Sequence, residues 1–255
     1  MLSWQILRHS MNMVFNNFGV ALRISIPLIG AMVLTLLLFG RDVVMGQTGL
    51  DMMNPQPYDA VNEGKVFLAA MIEAFAVLWV AVAWHRYILL EETPTGTLPA
   101  FNGSRMLSYF GHGLLLAVVV IAVFAGFGLV GGLIMATGSS ILVVAGGAIM
   151  FVGGLAVIVV SARLYVVLPA AAIGRSMKLS AAWEATKGYT GAIIAAYVFF
   201  ILIAIVIGII VGLSTVFLGT VGMIFVIALN VILTMIGISF LTTIYGVAIE
   251  RRELT

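Results

Sequence analysis

Glu73 is the residue whose position most plainly asks for a chemical role. It lies about seven residues inside an apolar run that begins at 66, roughly 10 Å deep at helical rise. An ionised carboxylate at that depth is costly. Two readings follow: a proton or ligand site, or a hydrogen-bonded staple between two helices. Asn230 and Thr35 fall near the same depth in two other apolar runs, so the three side chains are expected to share one intramembrane polar cluster. A coupled transporter more often presents several such acids; here the spans hold one.

A second group, His85, Arg86, Glu91, Glu92, Arg105 and His112, gathers where one apolar run ends and the next begins. It suits an anionic lipid headgroup, with cations snorkelling toward the acids as the plainer alternative. No His-x-x-x-His or Glu-x-x-His pair sits on a helix face, so no metal site is expected. Headgroup chemistry by His85 and His112 would require the two rings to converge. A third group places Arg163, Arg175, Lys178 and Lys187 around Trp183. With Arg86 and Arg105, these residues are expected to contact phospholipid headgroups, the alternative being charge that only sets topology. The chain lacks His-Glu-x-x-His, Gly-x-Ser-x-Gly, a phosphate-binding Gly-Lys-Ser/Thr loop and any cysteine. Neither an enzyme nor a cofactor is expected.

The elements that must position these residues are set by composition. Of 255 residues, 63% are hydrophobic and 9% charged, and the mean hydropathy is +1.22. That cannot clothe a soluble domain in polar surface. The net charge of +2 comes from scattered cations, which leaves nucleic-acid binding without an electrostatic footprint. Runs long enough to cross about 30 Å of hydrocarbon fall at 20–40, 66–87, 113–136, 141–163, 191–212 and 222–248. The expected fold is all-α: one membrane domain, 1–255, of six transmembrane helices, with an interfacial amphipathic helix at 1–18 and an external loop at 41–65.

Lys and Arg are retained on the cytoplasmic side of a membrane. With six spans and an inner N-terminus, ten cations fall inside and only Arg41 and Lys65 outside, out of 12 in all. Both termini are therefore expected in the cytoplasm, facing anionic phospholipid. Trp84, Tyr87, Tyr165 and Tyr245 fall where the even-numbered spans reach that interface. In the first 18 residues, Trp4, Leu7, Met11, Val14 and Phe18 share one helical face, and Gln5, Arg8, Asn12 and Asn16 the other. Similar lead-in stretches at 101–113 and 177–191 suggest three repeated units of interfacial helix plus hairpin. The simpler alternative is that every inner interface selects Arg, Tyr and Pro.

Glycine, with 28 copies, forms small-residue stripes. Gly126, Gly128 and Gly132 in the third span, Gly146/Gly147 and Gly153/Gly154 in the fourth, and Gly208 and Gly212 in the fifth permit close backbone approach. Internal packing uses them up, or an exposed stripe docks another membrane protein.

Ser161-Ala-Arg163-Leu-Tyr165-Val-Val-Leu168-Pro169-Ala170, followed by Ser180-Ala-Ala-Trp183-Glu184-Ala-Thr186-Lys187-Gly188, resembles the signature of poorly characterised bacterial six-helix inner-membrane proteins. The group includes the membrane domain attached to some glycerophosphodiester phosphodiesterases. The resemblance implies a bacterial inner membrane and envelope or lipid physiology; it brings no catalytic residues, and no phosphodiesterase domain is present. The functional expectation is a non-enzymatic accessory, assembly or stabilising subunit of a membrane complex, or a lipid-organising factor. The alternative is a small transporter or channel using Glu73 and Asn230.

Overall fold

The computed structural model describes residues 1–40, 43 and 60–254. Among them the chain is helical, with no strand. The amphipathic N-terminal stretch forms α1 (Leu2–Phe15), and a break at Asn16 and Asn17 leads into α2 (Phe18–Ile24) and α3 (Ile26–Phe39). After the segment that lies outside the described residues come α4 (Ala60–Leu90), α5 (Gly103–Met135), α6 (Ser140–Leu164) and α7 (Val167–Ala172). The chain closes with α8 (Leu179–Ala185), α9 (Thr190–Leu218) and α10 (Gly222–Ala248). Five helices are long and apolar enough to cross a membrane, and the α2–α3 pair makes a sixth if its two parts count as one span.

Several boundaries differ from the sequence expectation. The first run is bent by 50° between α2 and α3. Pro27, in the first turn of α3, has no N–H to continue the α2 ladder, and Ser25 Oγ turns back to donate to the Ala21 carbonyl. Residues 101–113 do not form a separate lead-in helix: α5 runs unbroken from Gly103. α4 already begins at Ala60, so the last part of the expected 41–65 loop is helical; of the rest, residues 41–42 and 44–59 lie outside the described residues.

Two left-handed glycines fix the sharpest turns. Gly138 (φ 75°) closes the α5–α6 hairpin. Gly174 (φ 80°) ends α7, where its own N–H bonds the Ala171 carbonyl and the Arg175 N–H bonds Ala170. An added Cβ at Gly174 would also stand 2.7 Å from the Arg105 guanidinium carbon.

Both ends of the chain meet at one end of the bundle, where Leu2 and Leu254 pack against the same buried cluster. α1 lies there against α9 and α10. Its expected apolar face is divided, with Leu7 and Val14 buried and Trp4 exposed. Ser3, Ile6, Leu7, Ser10 and Val14 face the protein, whereas Trp4, Phe15 and Phe18 are exposed. The small residues admit close approach of α10, and the large aromatics are left for the surroundings. α10 is the pillar of this end, buried almost all round from Met235 to Val247.

Candidate functional site

The termini-bearing end of the bundle holds a buried hydroxyl-lined layer. Ser239, Thr242, Thr243 and Gly246 recur on α10 at the spacing of one helical face, and the three hydroxyl residues are almost fully buried. Trp84 Nε1 donates to Ser239 Oγ at 2.8 Å. Ser10 Oγ lies 2.9 Å from Thr243 Oγ1. Thr242 donates its one hydroxyl proton to the Ile238 carbonyl at 3.0 Å. His85 Nδ1 lies 2.8 Å from Thr242 Oγ1. The Nε2 of that ring is buried and without a partner among the described residues, and Tyr109 stacks on the ring at 5.8 Å. A sequence signal for this layer existed in the i, i+3, i+4, i+7 run of small residues on α10. It escapes a reading based on hydropathy, because Ser, Thr and Gly barely alter the mean of an apolar span.

His112 donates from Nδ1 to the Ser108 carbonyl of its own helix at 2.8 Å. The two rings thus serve different helices, and no hydrogen bond joins them among the described residues. Among those residues, too, no three His, Asp or Glu side chains are grouped to hold a metal ion.

Toward the other end of the spans, Thr35 is fully buried and its hydroxyl lies 3.0 Å from Glu73 Oε1 and 2.9 Å from the Met32 carbonyl. α3 and α4 are thereby tied together. Asn230 Oδ1 instead accepts from Thr234 of its own helix at 3.4 Å.

The expected headgroup residues divide. Arg163 is only 8% exposed and so is not on a lipid-facing rim. Its guanidinium carbon sits 3.6 Å above the Trp183 ring, and one nitrogen donates to the Trp183 carbonyl. With Thr186 Oγ1, which lies 3.2 Å from the Arg163 carbonyl, this docks α8 against the end of α6. Arg175 is exposed and paired with Glu250 at 3.1 Å; Arg105, Lys178 and Lys187 are exposed. Arg86 is mostly covered: its guanidinium forks onto Glu92 and donates to the Ala172 carbonyl at 3.2 Å.

Only some of the expected glycines are used in packing: Gly146 and Gly153 are, together with Gly131 next to the expected Gly132. Between Ala117 and Gly153 the buried residues are Gly131, Gly146 and Gly153. An added Cβ at Gly131 would meet the Gly146 carbonyl oxygen at 2.7 Å and Met150 Cγ at 2.6 Å. At Gly146 it would meet Met135 and the Gly131 carbonyl, and at Gly153 the Phe127 side chain. These three close the α5–α6 hairpin. A Cβ at Gly126, Gly128, Gly132, Gly147, Gly154 or Gly208 would meet nothing within 4 Å. A tandem pair such as Gly146-Gly147 offers no sequence signal as to which member faces the partner helix.

By helix length and apolarity, the class defined is a multi-pass helical membrane protein. Comparison with protein-family models, curated proteins and solved structures finds no match.

Proposed function

We propose that the protein is a non-enzymatic component of a bacterial inner membrane, both termini cytoplasmic, that serves as an accessory, assembly or stabilising subunit of a larger membrane complex. The observation that carries this reading is the unused rank of glycines on the α5–α6 hairpin. One rank closes the hairpin; the adjacent residues Gly132, Gly147 and Gly154 have open space where a side chain would stand. Small residues let two helices approach closely, and in lipid that packing, rather than hydrophobic burial, supplies association. The hairpin rises from the packed end with little else of the chain against it, as a docking element would. Lipid organisation is compatible with the same surface.

The test is extraction into polymer nanodiscs followed by native mass spectrometry, on the unaltered chain and on a Gly147→Leu, Gly154→Leu variant. A stoichiometric protein partner present in the first and lost from the second, with folding intact, supports the reading. A protein carrying only phospholipid in both overturns it. A small transporter or channel is the second reading, favoured by the Thr35–Glu73 contact within the spans. It requires Glu73→Gln to abolish a measurable flux in proteoliposomes.

A further inference from the structure

The termini-bearing end carries a cleft of about 410 Å³ between α2, α4 and the 91–102 segment. Its apolar side is formed by Ile24, Ala83 and Leu98, and its polar side includes Arg86, Glu92 and Asn102. The apolar run from Val66 to Trp84, interrupted by Glu73, covers about 28 Å at helical rise, close to a hydrocarbon thickness. Arg86 therefore stands at the edge of the hydrocarbon, at headgroup level. Arg23, across the rim, donates to the Pro94 carbonyl at 3.0 Å.

Arg86 is held in place by the Ala172 carbonyl and is met by the two carboxylate oxygens of Glu92. That fork is the geometry in which guanidinium receives a phosphate. Glu92 reaches it from a strained turn: Glu91 has φ 58°, a conformation uncommon for a side-chain-bearing residue. Glu92 itself is 45% exposed, whereas Arg86 is 14% exposed. The carboxylate is thus the movable partner and the guanidinium the fixed one.

We propose that this cleft is a binding site for a phosphate-bearing anion, with Glu92 occupying the anion position on Arg86 until the ligand displaces it. The cleft's apolar side and its level at the hydrocarbon edge favour the headgroup of an anionic phospholipid over free phosphate. This proposal does not rest on the docking role of the hairpin.

The purified full chain is titrated with dioleoylphosphatidylglycerol in mixed micelles, and retained lipid is counted by native mass spectrometry. Glu92→Gln frees the guanidinium and is expected to raise retention several-fold. Arg86→Gln is expected to reduce it to the level of dioleoylphosphatidylcholine, while Lys65→Gln, exposed at the opposite end of α4, leaves it unchanged. The Glu92→Gln arm keeps the Arg86 contact to Ala172, so it reads the site even where Arg86→Gln impairs folding. Inorganic phosphate at millimolar concentration distinguishes the sources: lipid retained in its presence supports the headgroup, and lipid displaced by it in the unaltered chain supports the free anion. Retention that is unchanged or lowered by Glu92→Gln overturns the proposal.

Discussion

The inner part of α10 and the α5–α6 hairpin are both apolar helical structure, yet they are held by different forces. From Met235 to Val247, α10 is enclosed by α1, α4, α7 and α9, with Trp84, His85 and Ser10 bonded to its hydroxyl face. In the hairpin, only 6% of the most apolar window of α5 is buried within the molecule, against 39% for α10. In lipid, a leucine gains little by leaving hydrocarbon for protein, so a hairpin can keep Ile121, Phe124, Leu133 and Phe151 outward without penalty. It needs only a close glycine contact to stay paired. At the packed end, burial of apolar side chains and buried side-chain hydrogen bonds do the stabilising.

This contrast can be broken most severely at the glycine contact. Gly146→Leu drives a branched side chain into Met135 and the Gly131 carbonyl, and overpacking of this kind costs about 1–3 kcal/mol or more. The expected result is loss of a cooperative thermal transition, measured by circular dichroism in detergent. Gly147→Leu, one residue along and facing open space, is expected to leave that transition in place.

At the packed end the largest effect is expected from Arg163→Gln. It removes the guanidinium from above Trp183 and the charged donor to the Trp183 carbonyl, for about 1.5–3 kcal/mol. Limited proteolysis should then cut first in 173–190, where α8 has come loose. Arg163→Lys should rescue only part of the loss, because an ammonium lacks the planar face that stacks on indole.

Trp84→Phe is smaller. The ring stays buried while the Ser239 hydroxyl loses its donor, for about 1 kcal/mol. A double-mutant cycle with Ser239→Ala, read by chemical denaturation, should return most of that value as coupling.

The smallest effect is expected at Glu73→Gln, which keeps an oxygen facing Thr35 and should shift stability by less than about 1 kcal/mol. Unfolding of this variant would show instead that the carboxyl group itself fastens α3 to α4.

The same contrast explains what could be read from the sequence. The last span, 222–248, coincides with α10, because bilayer thickness imposes a length that hydropathy reports directly. α4 and α5 begin before their expected runs at 66 and 113, since residues 60–65 and Gly103 to His112 continue the helices through polar sequence that hydropathy does not mark. The kink at Ser25 to Pro27 was legible in the proline but masked by the unbroken apolarity around it. Thr35 and Glu73 share a depth in the sequence and meet in the structure; Asn230 shares that depth but bonds along its own helix, and depth alone says nothing of the angle around a helix. For the same reason the sequence did not show that α1 buries Ser3 and Ser10 and leaves Trp4 exposed.

The most direct test of the docking role uses the absence of cysteine. Gly147→Cys places a single thiol on the outward glycine rank, and a membrane-permeant bifunctional crosslinker is applied in native membranes. A docking role predicts one discrete adduct containing a second integral membrane protein, absent when the cysteine is placed instead at the exposed Arg175 at the other end of the molecule. No adduct, together with ready alkylation of the Gly147→Cys thiol by a lipid-soluble maleimide, would mean that the rank faces only lipid and would contradict it.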